Sequence, residues 1–255
     1  MLTLTFWLQW LTALELAAVA AFSLAAARVS AGSAHHAAGW KLTGVAFSVF
    51  VVDLATQLSF GTVAMAAGKK TPEMQAYLHA SPAFDHSRTF LMMAAILVLA
   101  LLALARAVPA RWFTWLAGAL LAAGLALGAA AGLAEGGFLR RVHYTAVAVG
   151  DVAELVLLLA ALFLLLLTNR VDRFLWGLLA AYASSLALGI YWFTLFTQIG
   201  IAHAWHPEPW TLNAVWSVIY AAMAAFAFAR WRRGHRGRPV HGMLGPQRPQ
   251  LSTIG

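Results

Sequence analysis

Four carboxylates sit in stretches of this chain where a carboxylate is costly. Glu15, Asp53, Asp151 and Glu154 fall within long apolar runs that contain no Lys or Arg. Each costs a few kcal/mol to place near the centre of a bilayer. Glu15, Asp53 and Glu154 lie near the middles of their runs, and Asp151 lies one helical turn from Glu154. Grouped carboxyls of this kind can share and pass protons or ligate a hard cation through oxygen. Taken singly, each could instead bind a neighbouring helix by a hydrogen bond.

Other polar residues recur at helical spacing around them. Gln9 and Thr12 precede Glu15 at three-residue steps, and Gln57 stands one turn from Asp53. Ser184, Tyr191, Thr194 and Gln198 form one stripe, and Asn213, Ser217 and Tyr220 form another. These residues are expected to line a polar interior with the acids, and the carboxyl groups are expected to converge there.

A second chemistry is suggested by histidine. His86, His143, His203 and His206 fall toward one end of the predicted spans, the last two in HAWHPEPW beside Glu208. Imidazoles with a carboxylate can hold Zn or Cu, so a metal ion at the outer side is the one candidate cofactor. No HExxH or ExxH motif accompanies them. Val142 to Thr145, VHYT, resembles the motif of the MHYT membrane-sensor domain, but it occurs once, with Val for Met, and implies no function.

Composition says which elements must hold these groups. The 255 residues are 62% hydrophobic and 10% charged, against about 25% charged in soluble domains. Disorder, collagen and disulfide scaffolds are excluded. The absence of cysteine removes thiolate metal sites and thiol catalysis. Walker, dinucleotide and Gly-x-Ser-x-Gly motifs are missing, and no lysine in the last span could form a retinal Schiff base. These absences weigh against an enzyme and leave only the metal-based alternative.

The expected fold is all-α, with seven transmembrane helices at about 4–27, 42–64, 89–105, 112–134, 143–168, 174–200 and 210–229. Strands are excluded because the runs are continuously apolar rather than alternating. The first run is taken as a retained span, not a cleaved signal, because no basic stretch precedes it. With the N-terminus outside and the C-terminus cytoplasmic, 12 basic residues fall inside and 5 outside, as the positive-inside rule favours. Tryptophans at the run ends, Trp7, Trp40, Trp112 and Trp231 among them, read as interfacial anchors.

Residues 232–255 are expected to form a flexible basic cytoplasmic tail that contacts anionic lipids rather than nucleic acid. The third and fourth runs carry almost nothing polar and should face lipid or a partner. The fourth bears a small-residue ridge, Gly124, Gly128 and Gly132, suited to packing within the bundle or against another subunit.

Three functions follow as expectations for a multi-pass inner-membrane protein. The first is carriage or conduction of protons or a small cation through the carboxylate-lined interior. The second is a non-catalytic membrane subunit or assembly factor of a larger complex, such as a respiratory one. The third is a membrane metalloenzyme using the outer histidines.

Overall fold

The structure is a computed structural model that describes residues 2–30, 34–67, 137–168, 172–191 and 209–236, with single positions between 72 and 126. Five helices are defined: α1 (Leu2–Val29), α2 (Ala34–Ala67), α3 (Gly137–Thr168), α4 (Arg173–Ile190) and α5 (Pro209–Arg236). All five contain a stretch long and apolar enough to cross a membrane. The remainder of the third and fourth predicted spans, and of the sixth beyond Tyr191, lies outside the described residues.

The helices outrun the apolar windows because their flanks remain good helix formers. Ala34, Ala37 and Ala38 carry α2 back ahead of Lys41, and Arg232 and Arg233 carry α5 on to Arg236. Helix α5 thus takes in the first residues assigned to the tail. Pro209 opens α5, where a missing backbone N–H costs nothing. Asp172 caps α4, its Oδ1 accepting from the Phe174 amide at 3.1 Å.

Packing fixes the helix directions. Glu15 meets Ser217, Phe22 meets Phe228 and Val29 approaches Gly234, so α1 and α5 run parallel. Asp172 with Arg230 and Ser185 with Tyr220 set α4 antiparallel to α5, and Glu154 with Tyr182 and Leu162 with Trp176 set α3 antiparallel to α4. Trp40 with Asp172 and Phe47 with Tyr182 set α2 parallel to α4, hence antiparallel to α1, where Leu24 meets Gly44. The end of α2 and the start of α3 therefore share one face of the bundle. Leu2 and Arg236 lie at opposite ends of the bundle.

The core is a continuous apolar cluster drawn from all five helices, with Leu16, Val19, Phe47, Leu158, Leu178 and Met223 almost wholly inaccessible. Close approach depends on glycine. A Cβ on Gly44 would lie 2.7 Å from Leu24 Cγ and 3.1 Å from the Leu24 backbone nitrogen, so α1 and α2 touch nearly backbone to backbone. Leu91, Met92 and Ile96, in the third run, are buried core members. A run without polar groups can pack against apolar neighbours as readily as against lipid.

Candidate functional site

Three interhelical hydrogen bonds join four helices in sequence. On α3, Glu154 is fully buried and its Oε1 accepts from the Tyr182 hydroxyl of α4 at 2.6 Å. One turn along α4, the buried Ser185 hydroxyl bonds the Tyr220 hydroxyl of α5 at 3.0 Å. One turn along α5, the Ser217 hydroxyl donates to Glu15 Oε1 of α1 at 2.8 Å. The other Glu15 oxygen, Oε2, is buried with no hydrogen-bond partner among the described residues.

These pairs form a polar line oblique to the bundle axis. Each of the two steps along a helix covers three residues, so Glu15 and Glu154 differ in depth by about 9 Å at 1.5 Å of rise per residue. Glu15 is nearer the Leu2 end. Aromatic rings from α2 wall the line: Phe47 stands edge-on to Tyr182 at 5.5 Å, and Phe50 edge-on to Tyr220 at 6.3 Å. Toward the other end leucines predominate: Leu158, Leu162, Leu165, Leu175, Leu178 and Leu179 lie beyond Glu154 and Tyr182, with the buried hydroxyls of Ser23 and Thr43 at the same level on α1 and α2. The line therefore spans about 9 Å of the bundle's depth and ends against leucines at Glu154.

Asp53 and Asp151 stand beside the line. Asp53 is half-buried and lies one turn from Phe50 on α2, toward the same end as Ser217 lies from Tyr220. The antiparallel register of Leu24 with Gly44 also puts Asp53 at the depth of Glu15. Asp151, half-buried, is one turn from Glu154 on α3, at about the depth of the Ser185–Tyr220 pair.

The expected polar lining is distributed unevenly. Ser217 and Tyr220 are buried members of the line, while Asn213 and Gln9 are half-buried. Thr12 is buried but donates to its own helix, at Leu8 O, 2.9 Å away. Gln57 and Tyr191 lie on exposed faces, and exposed Ser184 donates to Ala180 O. Thr194 and Gln198 lie outside the described residues.

On α4 the inward residues are instead Tyr182 and Ser185, which the stripe built on Ser184 misses. The signal was present. Leu175, Leu178, Leu179 and Leu186 share one helical stripe, and Tyr182 and Ser185 continue it.

A second cluster occupies the opposite end. Asp172 Oδ2 accepts from Arg230 Nε at 2.6 Å and from the Trp40 indole at 3.2 Å, joining α2, α4 and α5. Trp40, expected as an interfacial anchor, is fully buried because its N–H finds this acceptor inside the bundle. Trp7 is exposed, as an anchor should be.

Among the described residues, no group of three or more His, Asp or Glu could hold a metal ion. His86, His203 and His206 lie outside the described residues, as do Gly124, Gly128 and Gly132. His143 belongs to α3. The metal expectation therefore gains nothing from the described geometry. Comparison of the chain with protein-family models, curated proteins and solved structures finds no match.

Proposed function

We propose that this protein moves protons in the inner membrane, using the line from Glu15 through Ser217, Tyr220, Ser185 and Tyr182 to Glu154 as a half-path. The supporting observation is the set of three interhelical hydrogen bonds, one helical turn apart, that spaces hydroxyls between half-buried Glu15 and buried Glu154. A hydroxyl donates one hydrogen bond and accepts others, and it can rotate between the two roles. Hydroxyls between carboxyls are therefore suited to proton transfer, with Asp53 and Asp151 as additional proton-exchanging groups. A dehydrated hard cation would need about six oxygen ligands, which favours the proton over a metal cation.

The packing of Leu158, Leu178 and Leu179 beyond Glu154 supports a gated carrier over an open pore. On the positive-inside rule, the basic ends of α1, α4 and α5 face the cytoplasm and Leu2 faces outside.

The test is proton flux into vesicles containing purified protein and a trapped pH dye. Wild type should acidify the lumen under an imposed gradient, and Glu15→Gln and Glu154→Gln should each abolish the signal. Flux that persists undiminished in both variants would eliminate the proposal.

One observation favours the membrane-subunit reading. Trp115, Gly118, Ala119, Ala122, Ala123 and Ala126, in the fourth predicted span, are helical and exposed. Gly118, Ala119, Ala122, Ala123 and Ala126 among them form a small-residue face of the kind that packs closely on another helix. Co-purification of a stoichiometric partner without flux would select that reading.

A further inference from the structure

The three helix ends that meet at Asp172 carry more positive charge than the bundle needs. Arg230 is held by Asp172 through Nε alone. Near that pair are exposed Lys41, next to Trp40 on α2, Arg173, next to Asp172 at the start of α4, and Arg233, one turn beyond Arg230 on α5. The Arg233 guanidinium rests over the Phe174 ring at 5.9 Å, which holds it beside Arg173. Four cations thus gather at this end of the bundle, and Asp172 binds Arg230 among them. Exposed Arg28 and Arg232 add to the same end.

The level of this cluster identifies what it meets. The membrane-crossing stretches of α2, α4 and α5 begin or end at His36, Arg173 and His235, so the cluster sits where lipid headgroups lie. An aromatic group of Phe22, Phe228 and Trp231, with ring centroids 5.1–5.8 Å apart, fills the adjacent flank between α1 and α5. The amphipathic Trp231 ring favours that interfacial depth. The cations are fixed by structure as well as by sequence. Asp172 caps α4 and binds Trp40 and Arg230, which sets the spacing of all three helix ends.

We propose that this α2–α4–α5 junction binds the phosphate headgroup of an anionic phospholipid through Arg173, Arg233 and Lys41, with the remaining donors of Arg230 behind them. The site is part of the folded bundle and distinct from the basic tail after Arg236. It does not depend on proton movement. Guanidinium groups suit phosphate oxygens because their forked N–H groups pair with two oxygens at once. The N-terminus of the 18-residue α4 adds its partial positive charge.

The experiment is thermal unfolding of the full chain in detergent, titrated with phosphatidylglycerol, with phosphatidylcholine or with inorganic phosphate. Phosphatidylglycerol should raise the unfolding midpoint saturably, and the other two should not. Losing two headgroup contacts in Arg173→Gln/Arg233→Gln should weaken the apparent affinity about thirtyfold, taking the usual contribution of a basic residue near an anionic surface. Arg140→Gln/Arg141→Gln, at the other end of the bundle, should leave it unchanged.

Should the first double variant not fold, Lys41→Gln gives the same reading, with a smaller loss. Equal stabilisation by phosphatidylcholine would overturn the proposal, as would equal loss from the Arg140/Arg141 variant. Stabilisation by inorganic phosphate alone would assign the site to a free anion instead of a lipid.

Discussion

Replacing Tyr182 by Phe removes one oxygen from the centre of the bundle and little else. The ring still packs edge-on against Phe47, 5.5 Å between centroids. The loss falls on Glu154 Oε1, which accepts from that hydroxyl at 2.6 Å in a fully buried position. Removing one partner of a buried hydrogen bond in water-soluble proteins costs about 1–3 kcal/mol, the upper part of the range applying to charged acceptors. In membranes the measured values are smaller, about 0.6 kcal/mol on average and up to about 1.7, because the dissociated helices find other partners.

The short distance and the full burial place this pair at the upper end of the membrane range. We expect about 1.5 kcal/mol of destabilisation for Tyr182→Phe. Tyr220→Phe, which breaks a hydroxyl–hydroxyl bond at 3.0 Å, should cost nearer about 0.6 kcal/mol. The assay is reversible unfolding in mixed micelles, followed by circular dichroism. A double-mutant cycle with Glu154→Gln isolates the pair. Strict additivity of Tyr182→Phe and Glu154→Gln would refute the hydrogen bond, and equal costs at Tyr182 and Tyr220 would refute the ranking by burial and charge.

Other consequences can be checked separately. Gly44→Ala should destabilise by about 1–2 kcal/mol in the same unfolding assay. Overpacking against Leu24 and its backbone outweighs the gain in helix propensity, which is about 1 kcal/mol. Gly177→Ala should cost less, since its added Cβ would meet the Phe226 ring, which is partly exposed and can swing aside. Asp172→Ala should cost about 2 kcal/mol through loss of the α4 cap, together with its bonds to Trp40 and Arg230. Tryptophan fluorescence should report the exposure of Trp40. Reporter fusions at the N-terminus and after Arg236 should read out on opposite sides of the membrane; reporters active on the same side would contradict the parallel packing of α1 and α5.

The membrane class and the positions of the described helices were legible because apolar length is a strong, local signal. Glu15 and Glu154 stood out for the same reason: a lone acid in an apolar run is conspicuous. Azimuth was harder to read. Ser184 and Ser185 are adjacent and chemically identical, and only the Leu175–Leu178–Leu186 stripe says which one faces inward. Tyr182 stands outside the polar stripe built on Ser184, although it supplies the bond to Glu154.

Gly44, the residue that lets α1 and α2 touch, belongs to no repeated motif, whereas the conspicuous ridge at Gly124, Gly128 and Gly132 lies outside the described residues. Trp40 shows the limit of reading by position. An end-of-span tryptophan is normally an anchor, and only a long-range acceptor at Asp172 draws it inside.

The most direct test of the proton path breaks it without touching a carboxyl group. Purified wild-type protein and Tyr220→Phe are placed in vesicles with a trapped pH dye, and proton uptake is timed after a pH jump. Tyr220 joins Ser185 at mid-line and stands one turn from Ser217, so its hydroxyl is the link between the two acidic halves. The account predicts that uptake falls to the level of protein-free vesicles while the helical signal and elution volume stay those of wild type. Uptake at the wild-type rate in a folded Tyr220→Phe protein would contradict it.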